Sequence, residues 1–174
     1  MHSNYLLIDF LNKKLVDLKK KQIAEHKQKS EMIIDGILNV SKAQLYTNDY
    51  FISDKHVQNL EAAFSLLLED MPVQHIIGKT YFYQDCFLTP PGIFIHRPET
   101  ELLIDCVKND FNDKSPKTVL DIGCGSGCIG ISIANLYKNF EVTGIDISGK
   151  AIEIATKNAI SLKANNINIV KQDI

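Results

Sequence analysis

Thr118-Val119-Leu120-Asp121-Ile122-Gly123-Cys124-Gly125-Ser126-Gly127-Cys128-Ile129-Gly130 is the stretch whose reading decides the fold. A β-branched, apolar run ends in an acid, and four glycines follow within eight residues. Such a run reads as a buried strand. The glycines let the backbone turn sharply, approach a ligand closely and enter a helix at Cys128. This is a nucleotide-type binding turn, and it leaves open which nucleotide it takes.

Gly125-x-Gly127-x-x-Gly130 satisfies the dinucleotide fingerprint, and Asp146 stands near the position expected for an acid on the ribose. Asp121 points the other way. A carboxylate at the strand end, just before the glycines, would repel a pyrophosphate seated on the turn. It suits a ligand that carries an ammonium and a sulfonium, as S-adenosylmethionine does. The spacing Asp121-x-Gly123-x-Gly125-x-Gly127 resembles that of class I methyltransferases. A P-loop is excluded, because no Gly-Lys-Ser/Thr follows the glycines.

Around this stretch, strand and helix patterns alternate: strand 118–122, helix 128–138, strand 141–146, helix 149–162 and strand 167–172. Alternation of this kind means a parallel sheet with right-handed crossovers. Ligands then bind at the carboxyl ends of the strands, where the turn 123–127, Asp146 and Asp173 all fall. Asp146 can accept both hydroxyls of a ribose in charge-assisted hydrogen bonds. Asp173 is a candidate for an adenine amino group, and Ile174 beside it for the same end of the ligand. Upstream, Pro98 with Glu99 and Glu101 starts a helix to about Asp110, whose Leu102, Leu103, Cys106 and Val107 are expected to face the sheet.

The first 70 residues read as all-helical. Leu7, Phe10, Leu11 and Leu15 mark one amphipathic helix, and Ile33, Ile34, Ile37 and Leu38 a second that ends near Asn39. Ser41 caps a short third helix through Tyr46, and Ser53 or Asp54 caps a fourth that Pro72 stops. Short connections between such helices predict a small bundle. Nothing in it has the constellation of a catalytic site, and the Lys19-Lys20-Lys21 run reads as a solvated face. Between Pro72 and Pro98, Tyr81, Phe82, Phe87, Leu88 and Ile93-Phe94-Ile95 alternate with turn residues and predict a hairpin or two short strands.

With 174 residues, 45% of them hydrophobic, and a net charge of −2, the chain is a globular protein with no bias toward nucleic acid. Arg97 is its sole arginine. No signal peptide is expected, since Lys13 and Lys14 interrupt the early apolar residues, and no apolar run approaches the ~20 residues of a membrane span. Cys86, Cys106, Cys124 and Cys128 lack the spacing of a zinc site and fit the reducing cytoplasm as free thiols.

Pro72-Val73-Gln74-His75-Ile76-Ile77-Gly78, Phe82, Phe87 and Ile93-Phe94-Ile95-His96-Arg97-Pro98-Glu99-Thr100-Glu101, taken with the turn, resemble the HemK-type protein-(glutamine-N5) methyltransferases that modify peptide chain release factors. The Arg97–Glu101 run is the most specific part of the likeness. His75 stands where that family commonly has tyrosine, and His96 where it has proline. The resemblance implies a helical bundle over 1–71 that helps hold the release factor, a hairpin linker over 72–97 and a Rossmann-like α/β methyltransferase domain over 98–174. It implies S-adenosylmethionine held by Asp121, Gly123, Cys124, Gly125, Ser126, Gly127, Asp146, Asp173 and Ile174, with Arg97, Glu99 and Thr100 supporting the active site. It implies no metal, a monomer, and a release factor rather than a nucleic acid or a membrane as partner. The family orients the target amide with an Asn-Pro-Pro-Tyr loop, and the 174 residues contain no such sequence. The expectation is therefore the front part of an enzyme, with no catalytic residue of its own and an apolar, unpaired strand at 118–122. A dinucleotide-binding oxidoreductase module and a non-catalytic helical interaction module are the competing readings.

Overall fold

The computed structural model describes residues 5–111 and 115–173. The chain forms two compact units that divide between Ile77 and Gly78.

In the first unit, α1 (Leu7–Lys20), α2 (His26–Leu38) and α4 (Asp54–Leu68) carry the core, with the short α3 (Lys42–Leu45) between them. Leu7, Leu11, Leu18, Ile33, Ile34, Leu60 and Phe64 are fully buried together, and the Phe10 and Phe64 rings meet edge to face at 5.9 Å. Local signals set the helix ends. Asn39 stops α2 in the left-handed conformation, at φ 53°. Ser41 and Gln44 cap α3 reciprocally, the Gln44 amide donating to Ser41 Oγ and the Ser41 amide to Gln44 Oε1. Ser53 Oγ accepts the His56 amide at the start of α4.

Two features depart from the helical expectation. β1 (Tyr5–Leu6) pairs antiparallel with β2 (Phe51–Ile52), tying the start of α1 to the start of α4. Residues 73–77, expected as part of the hairpin linker, form a short helix, α5 (Val73–Ile77), just before the hairpin. Pro72 ends one helix and its carbonyl starts the next by accepting the His75 and Ile76 amides.

The second unit opens with the antiparallel hairpin of β3 (Lys79–Phe82) and β4 (Asp85–Leu88), which buries Phe82 and Phe87. Ile93-Phe94-Ile95 is not a strand. Ile93 is buried against Ala151 and Ile154 instead, so the run forms a strap held by side-chain packing. A 3₁₀ turn over Pro98–Glu101 precedes α6 (Leu102–Asp110). That helix turns a different face inward from the one expected: Ile104 is buried and Val107 half-buried, while Leu102, Leu103 and Cys106 are exposed. The inward pair is spaced i, i+3, on one face of the helix.

The parallel sheet is the expected one. β5 (Thr118–Ile122), β6 (Glu141–Asp146) and β7 (Ile167–Lys171) lie in the order β5-β6-β7, with α7 (Cys128–Leu136) and α8 (Gly149–Ser161) as the connections. The register pairs Asp121 with Gly144 and Asp146 with Lys171, so the acids stand at the carboxyl ends. Among the described residues β5 has no neighbour on its outer side, and Leu120 and Ile122 are 57% and 60% exposed. An apolar edge of this kind is a template for pairing with other chains. Leu120→Lys should reduce concentration-dependent self-association, measured by light scattering, with little change in melting temperature. Unchanged association would show that the edge does not drive it.

Candidate functional site

The turn between β5 and α7 is shaped by hydrogen bonds to the end of β6. Ile145 O accepts the amides of Gly123 at 2.8 Å and Cys124 at 2.9 Å, and Asp146 Oδ2 accepts that of Gly125 at 2.9 Å. Gly123, Gly125 and Gly127 all adopt positive φ. Gly127, at φ 80°, has a second reason to be glycine: a Cβ there would lie 2.8 Å from Ile131 Cδ1 and 3.2 Å from Ala155 Cβ. It starts α7 as a cap with no side chain.

Asp121 supplies the cap from a distance. Its Oδ2 accepts the Gly130 amide at 3.0 Å, in the first turn of α7. Burial raises its pKa, the Gly130 hydrogen bond works against that rise, and Asp146 adds to it. Asp146 is held by two backbone amides, Gly125 on Oδ2 and Ser148 at 2.8 Å on Oδ1. A carboxylate offers about four lone-pair sites, so each Asp146 oxygen keeps one for a ligand.

These groups line a cavity of about 390 Å³, within the ~300–1,000 Å³ of small-molecule sites. Of the residues singled out from the sequence, Asp121, Gly123, Cys124, Gly125, Ser126, Asp146 and Thr100 are in its wall. Gly127 packs beneath it. Arg97, Glu99 and Asp173 are exposed and do not line it, and Ile174 lies outside the described residues. No lining residue is a lysine or an arginine, and two are carboxylates.

The strap completes the wall, and only its family likeness marks it in the sequence. Gly92, Ile93, Phe94 and His96 all line the cavity, with Phe94 74% exposed. Lys150 Nζ donates to Pro91 O at 2.5 Å and ties the strap to the start of α8. His96 Nε2 lies 2.9 Å from Tyr81 O. A carbonyl only accepts, so Nε2 carries the hydrogen. Nδ1 is buried and has no partner among the described residues. Glu101 is engaged elsewhere, its Oε1 accepting the Tyr83 amide at 3.0 Å.

Cys124 and Cys128, both in the wall, are buried thiols. Burial pushes them up to about 12 and about 11, with Asp121 adding to each, so they stay protonated and unreactive at neutral pH. Among the described residues no group of three or more His, Cys, Asp or Glu is placed to hold a metal ion. No helix among them is long and apolar enough to cross a membrane.

Parallel sheet, glycine turn and acid-tipped strands give the second unit a Rossmann-like fold, and residues 113–174 match the family model described as a methyltransferase domain. Domains of this class take their methyl group from S-adenosylmethionine. Residues 11–78 match the model of the PrmC N-terminal domain. Across most of its length the chain is similar to proteins named release factor glutamine methyltransferase. That of Leptospira interrogans is 33% identical over 174 residues, covering 97% of this chain and 60% of the relative. The one from Fusobacterium nucleatum is 32% identical, covering 96% and 48%. For Koribacter versatilis the figures are 35%, 78% and 49%. The chain thus spans between 48% and 60% of the length of the curated relatives it matches.

The raised pKa of Asp121 makes its ionised form a cost to the unliganded fold. That cost is absent below its ordinary value of 3.8 and appears as pH rises through the folded-state value. Asp121→Asn keeps an oxygen for the Gly130 amide and removes the charge. Denaturant unfolding should find the Asn variant gaining on wild type between acid and neutral pH. A gap that stays constant or reverses would contradict this electrostatic assignment.

Proposed function

We propose that this chain holds the cofactor and the target in S-adenosylmethionine-dependent N5-methylation of a glutamine side chain in a class 1 peptide chain release factor. One observation carries the choice of cofactor: two carboxylates and no lysine or arginine line the cavity, and one of them, Asp121, bonds the first turn of α7. A dinucleotide would set its pyrophosphate on that helix start. An anion meets the Asp121 charge there, whereas the ammonium and sulfonium of S-adenosylmethionine are attracted to it.

The roles follow from position. The turn 123–127 wraps the amino-acid end of the cofactor, and Asp121 faces its ammonium. The free lone pairs of Asp146 accept the two ribose hydroxyls, and Asp173 with Ile174 serves the adenine. Arg97, Glu99 and Thr100 support the transfer end, where Thr100 already lines the cavity. The bound cofactor supplies an electrophilic methyl on its sulfonium. The glutamine amide nitrogen is a weak nucleophile, because its lone pair is delocalised into the carbonyl. It has to be held in line and its hydrogens accepted, and such positioning can account for ~7–11 kcal/mol of a barrier. The 174 residues contain no Asn-Pro-Pro-Tyr sequence and their last proline is Pro116. Alone they are expected to bind the cofactor and to transfer no methyl group. The helical unit, which has no acid–base constellation, is assigned to the release factor. The setting is the cytoplasm, as a monomer, without nucleic acid or membrane.

The test is a chimera in which these residues replace the matching span of the Leptospira interrogans relative. With labelled S-adenosylmethionine and an unmodified release factor it should methylate the glutamine. Asp146→Ala removes two charge-assisted hydrogen bonds, each ~1.5–3 kcal/mol, and should weaken cofactor binding about tenfold or more. A folded chimera that binds the cofactor and leaves the release factor unmodified would defeat the assignment of target.

A further inference from the structure

Asn158, on α8, is fully buried and belongs to none of the groups assigned above. Its Oδ1 accepts the Leu88 amide at 2.8 Å. Its Nδ2 donates to Leu88 O at 3.2 Å and to Ser126 O at 2.9 Å. Two carbonyls and one amide admit a single orientation of the side chain, since only NH₂ can serve both carbonyls. Asn158 therefore acts toward β4 as a neighbouring strand would, pairing both polar groups of one residue. At the same time it grips the turn that lines the cavity. Ala155, one helical turn earlier, packs at Gly127, so α8 meets the turn at two successive points.

We propose that Asn158 is a positioning residue: it fixes the cofactor turn at Ser126 and couples occupancy of the cavity to the order of β4 in the hairpin. The coupling rests on the reading of 123–127 as the cofactor turn, while the clamp stands on the hydrogen bonds alone. Without the Asn158 amide, Ser126 O, Leu88 O and the Leu88 amide lose their partner in a buried place. Such groups seek partners by shifting, and Ser126 shifts the turn with it. A ligand that steadies the turn should in the same way steady Leu88, the reciprocity that linkage requires.

Amide hydrogen exchange on the whole chain tests both parts. Asn158→Asp keeps the shape and removes both donors, and Asn158→Ala removes the side chain without adding a charge. In each variant the Gly125 and Gly127 amides, protected in wild type by Asp146 Oδ2 and Cys124 O, should exchange about tenfold faster or more, with β7 amides unchanged. Adding S-adenosylhomocysteine should slow exchange at Leu88 in wild type and not in either variant. An equal rise at the turn and in β7 would mean that Asn158 only stabilises the fold, and no rise at the turn would dismiss the clamp. Leu88 protection by the ligand in the variants would dismiss the coupling. A wild-type chain whose turn is held by Asn158 but does not respond to S-adenosylhomocysteine would uphold the clamp and refute the coupling together with the cofactor reading.

Discussion

A half-buried carboxylate needs a donor, and the second unit is arranged around the one given to Asp121. That donor, the Gly130 amide, sits in the first turn of α7 at 3.0 Å, so the end of β5 and the start of α7 are held together. The five residues between them must double back within that distance, and three glycines at positive φ do so. At Gly130 a Cβ would lie 3.0 Å from Asp121 Oδ2 and Ile167 Cδ1, so one of these side chains would have to give by a few tenths of an ångström. The same hydrogen bond fills the helix start that related folds leave open for a phosphate. Strand end and helix start are thus held by one contact.

Asp146 extends the arrangement to the next strand. By accepting amides from both the turn and Ser148 it ties together the loop ends on either side of it. Burial raises the pKa of Asp121, and repulsion from Asp146 in the same wall adds to that rise. A cationic ligand relieves that repulsion. The unliganded site is in this sense less stable than a neutral one would be, a usual relation between stability and function. His96 is also in the wall: its Nε2–H is committed to Tyr81 O, and its buried Nδ1 has no partner among the described residues.

The parallel sheet was legible because its signals are local and repeated. Apolar strands ending in acids, glycines before a helix, and amphipathic periods in α8 each stand within a dozen residues of one another. Caps such as Ser41 and Ser53 were legible for the same reason. What escaped depends on contacts distant in sequence. β1 and β2 are two residues each and exist only by pairing across the helices. The five residues of α5 are too few to show a period. Ile93–Ile95 has strand-like composition, yet α8 draws it into a strap. In α6 the pattern offered two adjacent leucines, and the inward face fell on Ile104, which packs with Phe82, Phe87 and Ile131 from distant parts of the chain. The turn and both strand-end acids could be collected from sequence as one edge of a sheet. The strap and Asn158 could not, since Asn158 meets Leu88 and Ser126 across 70 and 32 residues.

An adenosyl ligand that carries an ammonium, rather than a dinucleotide, is the ligand proposed for the Asp121-capped turn. Amide resonances of the chain followed during separate titrations with S-adenosylhomocysteine, which retains the ammonium, and with NAD measure this directly. Shifts are expected at Gly123–Gly127 and Asp146 with S-adenosylhomocysteine and none there with NAD. Shifts of the turn with NAD, or no response to S-adenosylhomocysteine, would contradict it.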